Sequence, residues 1–160
     1  MREFDTNGLR LAEFQAKLFE AATLTKSCSS AIFLRRFLHS NLLIQMDKNE
    51  SALISLDPNY GLYLIDEEFG ETNYGKEKIN KDIMFWMGYL YRYISYTRNT
   101  ETPFVMNLFD YKQLVNLYSV YHTQDPEWCI RSLLELNNLP EQIFDKNWRL
   151  KQTIRKRDIS

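Results

Sequence analysis

Residues 82–98 read DIMFWMGYLYRYISYTR, a stretch that is apolar or aromatic almost all round a helix. At 100° per residue, Phe85, Trp86, Tyr89, Tyr93 and Tyr96 share one broad face, and Ile83, Met87, Leu90, Tyr91 and Ile94 cover much of the rest. Gly88 and Ser95, seven apart, leave a small-residue seam where a second helix can approach closely. A helix buried on most sides belongs at the centre of a bundle or in an interface.

The flanking sequence supplies helices to surround it. Residues 9–24 place Leu11, Phe14, Leu18 and Ala22 at helical spacing opposite Glu13, Lys17 and Glu20. Residues 30–47 repeat the pattern through Ile32, Phe33, Phe37, Leu38, Leu42 and Ile44, with Ser27, Ser29 or Ser30 as N-cap. Asp57-Pro58 and Asp125-Pro126 each read as a helix start, Asp capping and Pro in the first turn. The first of these helices stops at Gly70 and the second at Asn137-Asn138. Residues 71–78 form a polar connection, residues 110–120 a further helix, and Pro140 opens a basic terminal helix over 140–157. Residues 104–109, FVMNLF, suit a short strand, so 100–110 stands open between a small β-hairpin and a helix. The expectation is an all-α, single-domain bundle over 1–160, with six to seven helices around the central aromatic one.

Composition agrees with that architecture. The 160 residues include ten Tyr and ten Phe but only five Gly and four Pro, too few turn formers for many short strands. A net charge of −1 argues against a global nucleic-acid-binding field. The charged N-terminus has no apolar segment behind it, and no run reaches the eighteen or so apolar residues of a spanning helix. Cys28 and Cys129 form no CxxC pair and read as buried free thiols. A cytoplasmic protein without membrane contact is expected.

Candidate chemistry is sparse. His122 precedes Asp125 at a helix start, where turn and capping roles explain both. Arg35 and Arg36 point 100° apart, so with His39 they make no tight anion clamp unaided, and a solvated helix edge accounts for them. Asp66, Glu67, Glu68 and Glu71 suit a solvated helix end. The two Cys and two His lack metal-ligand spacing, and GxGxxG, GxxxxGK[ST] and GxSxG are absent, so no metal and no cofactor is expected. Arg92, between Tyr91 and Tyr93, is either a paired structural charge or a grip on a partner's carboxylate or phosphate. Lys146, Arg149, Lys151, Arg155, Lys156 and Arg157, with Trp148 among them, form a local basic footprint.

The segments IFLRRF (32–37), NYGKEK (73–78), WMGYLYRYISYT (86–97) and SVYHTQDPEWCIRSLLE (119–135) together resemble a family of small bacterial cytoplasmic proteins encoded in toxin–antitoxin-type operons, often near ADP-ribosyltransferase-like toxin genes. The resemblance spans roughly residues 30–136. Ile94 stands where the pattern has an aromatic and Cys129 where it has a small residue. It implies an antitoxin-like or toxin-accessory component that acts by binding.

Three functions follow in order. The first is a non-enzymatic protein-binding module whose contact residues are Tyr89, Arg92, Tyr93, Tyr96, Tyr121 and His122, its partner a nearby-encoded toxin or a second copy. The second is a nucleic-acid-binding autoregulator using Lys146, Trp148, Arg149, Lys151, Arg155, Lys156 and Arg157. The third is an enzyme using His122, Asp125 and Arg92, which requires the three to share one pocket.

Overall fold

The computed structural model describes residues 1–49 and 57–159. Among them nine α-helices run in the order α1 Thr6–Thr25, α2 Ser30–Leu38, α3 Asn41–Asp47, α4 Pro58–Phe69, α5 Lys81–Thr97, α6 Thr102–Leu108, α7 Tyr111–Tyr121, α8 Pro126–Leu136 and α9 Lys146–Ile159, with a 3-10 turn at Glu141–Phe144 before the last. No described residue lies in a strand.

The aromatic helix α5 is the central strut, packing along α1 and touching α6, α7 and α8. Its closest partner is α1, and Gly88 is the reason they lie so near. A Cβ there would sit 2.8 Å from the Gln15 carbonyl oxygen and 3.0 Å from the Ala16 Cα, both backbone atoms of α1. Ser95, one heptad on, serves a different neighbour: its hydroxyl donates to the Tyr91 carbonyl at 2.9 Å and lies 2.9 Å from the Thr102 hydroxyl of α6. Phe19 of α1 packs edge-on against Phe33 and Phe37 of α2, with centroids 5.4 and 5.0 Å away. One core cluster draws on α1 to α8 and on Phe144 of the 3-10 turn.

The caps explain most boundaries. Asp5 accepts from the Gly8 amide and starts α1 earlier than the apolar periodicity alone suggests. Asp57 and Asp125 cap α4 and α8 as their sequence positions predict, and of the three candidate serines it is Ser29 that caps α2. Gly70 ends α4 at φ +81°, a region where a side chain is strained. The expected helix over 30–47 is two helices, because Ser40 donates to the Phe37 carbonyl and accepts from the Leu43 amide, closing α2 and opening α3. The expected helix over 140–157 is likewise divided: Asp145 accepts from the Asn147 amide and starts α9 afresh.

The short β-hairpin admitted at 100–110 is replaced by α6. Pro103 falls in the first turn of α6, and Val105 and Phe109, spaced i to i+4, are both fully buried. The cap comes from across the fold, since Asp47 at the end of α3 accepts from the Thr102 amide at 2.9 Å. Core burial on a helical period overrides the strand preference of Phe and Val.

Among the described residues no helix is long and apolar enough to cross a membrane.

Candidate functional site

The tyrosine edge of α5 is covered by the protein's own N-terminus. Phe4 sits 4.6 Å from the Tyr93 ring, 6.1 Å from Tyr89 and 6.3 Å from Tyr96. Tyr96 is buried, donates its hydroxyl to Asp5 at 2.7 Å, and lies under the Arg2 guanidinium. That hydroxyl and the Gly8 amide hold the Asp5 carboxyl below its ordinary value. The Arg2 amide also donates to the Thr97 carbonyl, so residues 2–5 lie along α5 as a strap. Tyr89 and Tyr93 stay half-buried, and burial, with Glu127 beside it, pushes the Tyr93 phenol up to about 12. Tyr121 is buried, edge-on to Trp128 and hydrogen-bonded to Ser132.

Arg92 lies inside the bundle, 1% exposed, at the centre of a polar cluster contributed by four helices. Its Nε donates to Gln15 Oε1 at 3.0 Å and its Nη1 to Asp47 Oδ1 at 2.8 Å. Asp47 is further held by the Thr102 hydroxyl at 2.6 Å, and Gln15 donates to the Gly88 carbonyl at 2.9 Å. Burial disfavours the charged guanidinium while Asp47 favours it. Nη2 has no hydrogen-bond partner among the described residues, and Arg92 lines a polar cavity of about 120 Å³ together with Arg2, Asp47, Ser95 and Asn99. The sequence shows no polar group converging on Arg92; the structure brings Gln15 and Asp47 onto it and Thr102 onto Asp47. Gln15 carried a signal, lying on the apolar face of α1 between Phe14 and Leu18. Asp47 and Thr102 carried none, because Asp47 meets Arg92, and Thr102 meets Asp47, only through the tertiary fold.

An open groove of about 540 Å³ runs between α5, α7 and α8. Phe85, Trp86, Tyr89 and Tyr118 form its half-buried aromatic walls, with Trp86 edge-on to Tyr118 at 5.6 Å. Leu90 and Cys129 lie buried beneath, and burial with Asp125 nearby pushes the Cys129 thiol up to about 11. Glu20, Asp82 and His122 add charged and polar groups to its lining. His122 is exposed, stacks on Tyr118 with centroids 4.4 Å apart and engages the Tyr118 carbonyl through Nδ1. Asp125 caps α8 by accepting from the Glu127 amide at 2.8 Å. Arg92 lines a different cavity from His122, so the three residues of the enzymatic reading do not converge on one pocket.

α9 meets the rest of the chain chiefly through the 3-10 turn. Arg149 is committed there, donating to the Ile143 carbonyl at 2.6 Å with its guanidinium 4.1 Å from the Phe104 ring. Trp148 is half-buried, whereas Lys146, Leu150, Lys151, Ile154, Arg155, Lys156 and Arg157 are exposed. Among the described residues no group of three or more His, Cys, Asp or Glu is arranged to hold a metal ion.

Compared with known proteins, the chain matches no family model, no curated protein and no solved structure.

Proposed function

We propose that the protein acts by binding, holding a segment of a protein partner in the α5–α7–α8 groove. The groove itself carries this reading: four large aromatic side chains line an open cleft, and of these only Tyr89, at its margin, also meets a ring of the N-terminal strap. Aromatic anchors in a concave site give most of the energy of a protein interface. The lining carboxylates Glu20 and Asp82 suit a segment that carries cations beside its apolar anchor. Of the residues expected from sequence, Tyr89 and His122 contribute to this groove. The finer form of the proposal, an antitoxin-like or toxin-accessory protein whose partner is a nearby-encoded toxin, is supported by the sequence resemblance over 30–136.

The test is affinity capture from the native host followed by identification of the retained protein. The wild type should retain one neighbouring-gene product, and a Glu20→Lys, Asp82→Lys variant that melts normally should release it. A wild type that stays strictly monomeric and retains no such product refutes the proposal.

A second reading is favoured by one observation, the projection of α9 with Lys146, Lys151, Arg155 and Lys156 exposed. Such a helix supports salt-sensitive nucleic-acid binding, which a gel-shift assay at low salt with and without residues 146–160 decides.

A further inference from the structure

The groove leaves unused the outer edge of α2, where the structure assembles a second pocket. Arg35, Arg36 and His39 from the end of α2 face Phe69 at the end of α4 and Thr72 and Tyr74 in the segment after it. With Ile32 they enclose about 360 Å³, and no carboxylate is among these lining residues. The α4 C-terminus fixes one of the two adjacent arginines and, with the segment after it, walls the pocket. Arg36 is fixed in place, donating Nη1 to the Gly70 carbonyl with its guanidinium 5.8 Å from the Phe69 ring. The Arg35 side chain is exposed and its guanidinium has no partner among the described residues. His39 engages the Arg35 carbonyl through Nδ1, which leaves Nε2 to point elsewhere.

Cations in the last turn of a helix complement its dipole, and that accounts for two arginines near the end of α2. It does not account for the aromatic walls. Tyr74 is 73% exposed and Phe69 39% exposed, an unusual outlay of ring surface on the rim of a cationic pocket. A free guanidinium grips a phosphate through paired N–H donors, and exposed rings stack on planar bases. The volume lies within the range of small-molecule sites and exceeds what an inorganic anion fills. We propose that this pocket binds a nucleoside monophosphate unit, free or within a single strand. Arg35 takes the phosphate, and Tyr74 and Phe69 take the base.

The test is calorimetric titration of the full chain with AMP, GMP, CMP and UMP, with inorganic phosphate, with adenosine, and with a mixed-sequence single-stranded octamer. At least one nucleotide or the octamer should bind tenfold or more tightly than phosphate or adenosine. Arg35→Ala and Tyr74→Ala, both at exposed positions, should each weaken that binding at least tenfold while melting as the wild type does. The exposed Arg131→Ala should leave it unchanged. Binding of a mononucleotide identifies the free ligand, and binding of the octamer alone, lost with Arg35→Ala, identifies the strand. The proposal is overturned by no binding of either, by binding indifferent to both α2-pocket variants, or by a phosphotyrosine peptide outcompeting every nucleotide. Octamer binding lost on removing residues 146–160 but kept in Arg35→Ala also overturns it, assigning that binding to α9.

Discussion

Replacing Asp47 with Ala should be among the most damaging single changes in this protein, and replacing Arg92 as well should restore part of the loss. Asp47 accepts from Arg92 Nη1 at 2.8 Å, from the Thr102 hydroxyl at 2.6 Å and from the Thr102 amide at 2.9 Å. Asp47→Ala therefore strands a guanidinium that is 1% exposed and already has one nitrogen without a partner among the described residues. Breaking a buried ion pair from one side costs about 3–5 kcal/mol, because the remaining charge is neither solvated nor compensated. In a domain of this size each kcal/mol moves Tm by about 2–4 °C, so the melt should fall by about 6–20 °C. Arg92→Met removes the charge and keeps the volume, leaving Asp47 on its two Thr102 donors, and should cost about 1–3 kcal/mol. The double variant should then be more stable than the sum of the singles by about 2 kcal/mol, within the usual range for coupled neighbours. Urea melts of the four proteins, followed by circular dichroism, give the cycle directly. A loss below about 1 kcal/mol for Asp47→Ala, or strict additivity, would refute the view that Arg92 is held by this cluster.

Gly88→Ala gains helix propensity of about 1 kcal/mol but drives a methyl into the α1 backbone, so a net loss of about 1–2 kcal/mol is expected in the same urea melt. Phe4→Ala uncovers the edge of α5, and should expose Tyr89 and Tyr93 to faster surface nitration or iodination than in the wild type. Asp5→Ala should lower stability at neutral pH. Because the folded-state pKa of Asp5 is depressed, its contribution is complete above the ordinary carboxylate value of 3.8 and fades as pH falls through the lowered one, so the two melts converge in acid. Cys129 should react with a thiol reagent at pH 7.5 only on unfolding, since it is buried and its thiol is pushed up to about 11; rapid labelling of the native protein would contradict its placement.

Much of the architecture was legible because it rests on local signals. The two Asp-Pro starts, Gly70, and the all-round apolar pattern of 82–98 are each decided by the residues nearest to them. The misplaced boundaries share a cause. At Ser40 and Asp145 a cap interrupts an apolar periodicity that would otherwise continue, and periodicity alone cannot report the break. At 102–108 the local helix signals, Pro103 and the i to i+4 spacing of Val105 and Phe109, compete with the strand preference of FVMNLF, and the cap that sides with them is Asp47, more than fifty residues away. The candidate site was legible only in part for the same reason. Tyr89 and His122 fall on the groove, but Tyr118 and the acids Glu20 and Asp82 join them only when α1, α5 and α7 are brought together.

Seven of the aromatic side chains fall into three groups with different duties. Tyr91, buried and donating its hydroxyl to the Phe109 carbonyl at 2.6 Å, and Tyr96, bound to Asp5, hold the fold together. Tyr89 and Tyr93 belong half to the fold, through Phe4. Phe85, Trp86 and Tyr118 are half-buried without such a cover and line the groove, Trp86 edge-on to Tyr118. An interface needs rings already held by neighbours, so that little side-chain entropy is lost on binding, and still open enough to bury further area. Only the last population, with Tyr89 at its margin, meets both conditions. Substitutions at Tyr91 or Tyr96 would therefore report on stability, whereas charge reversal at Glu20 and Asp82 perturbs what enters the groove without touching the rings that build it.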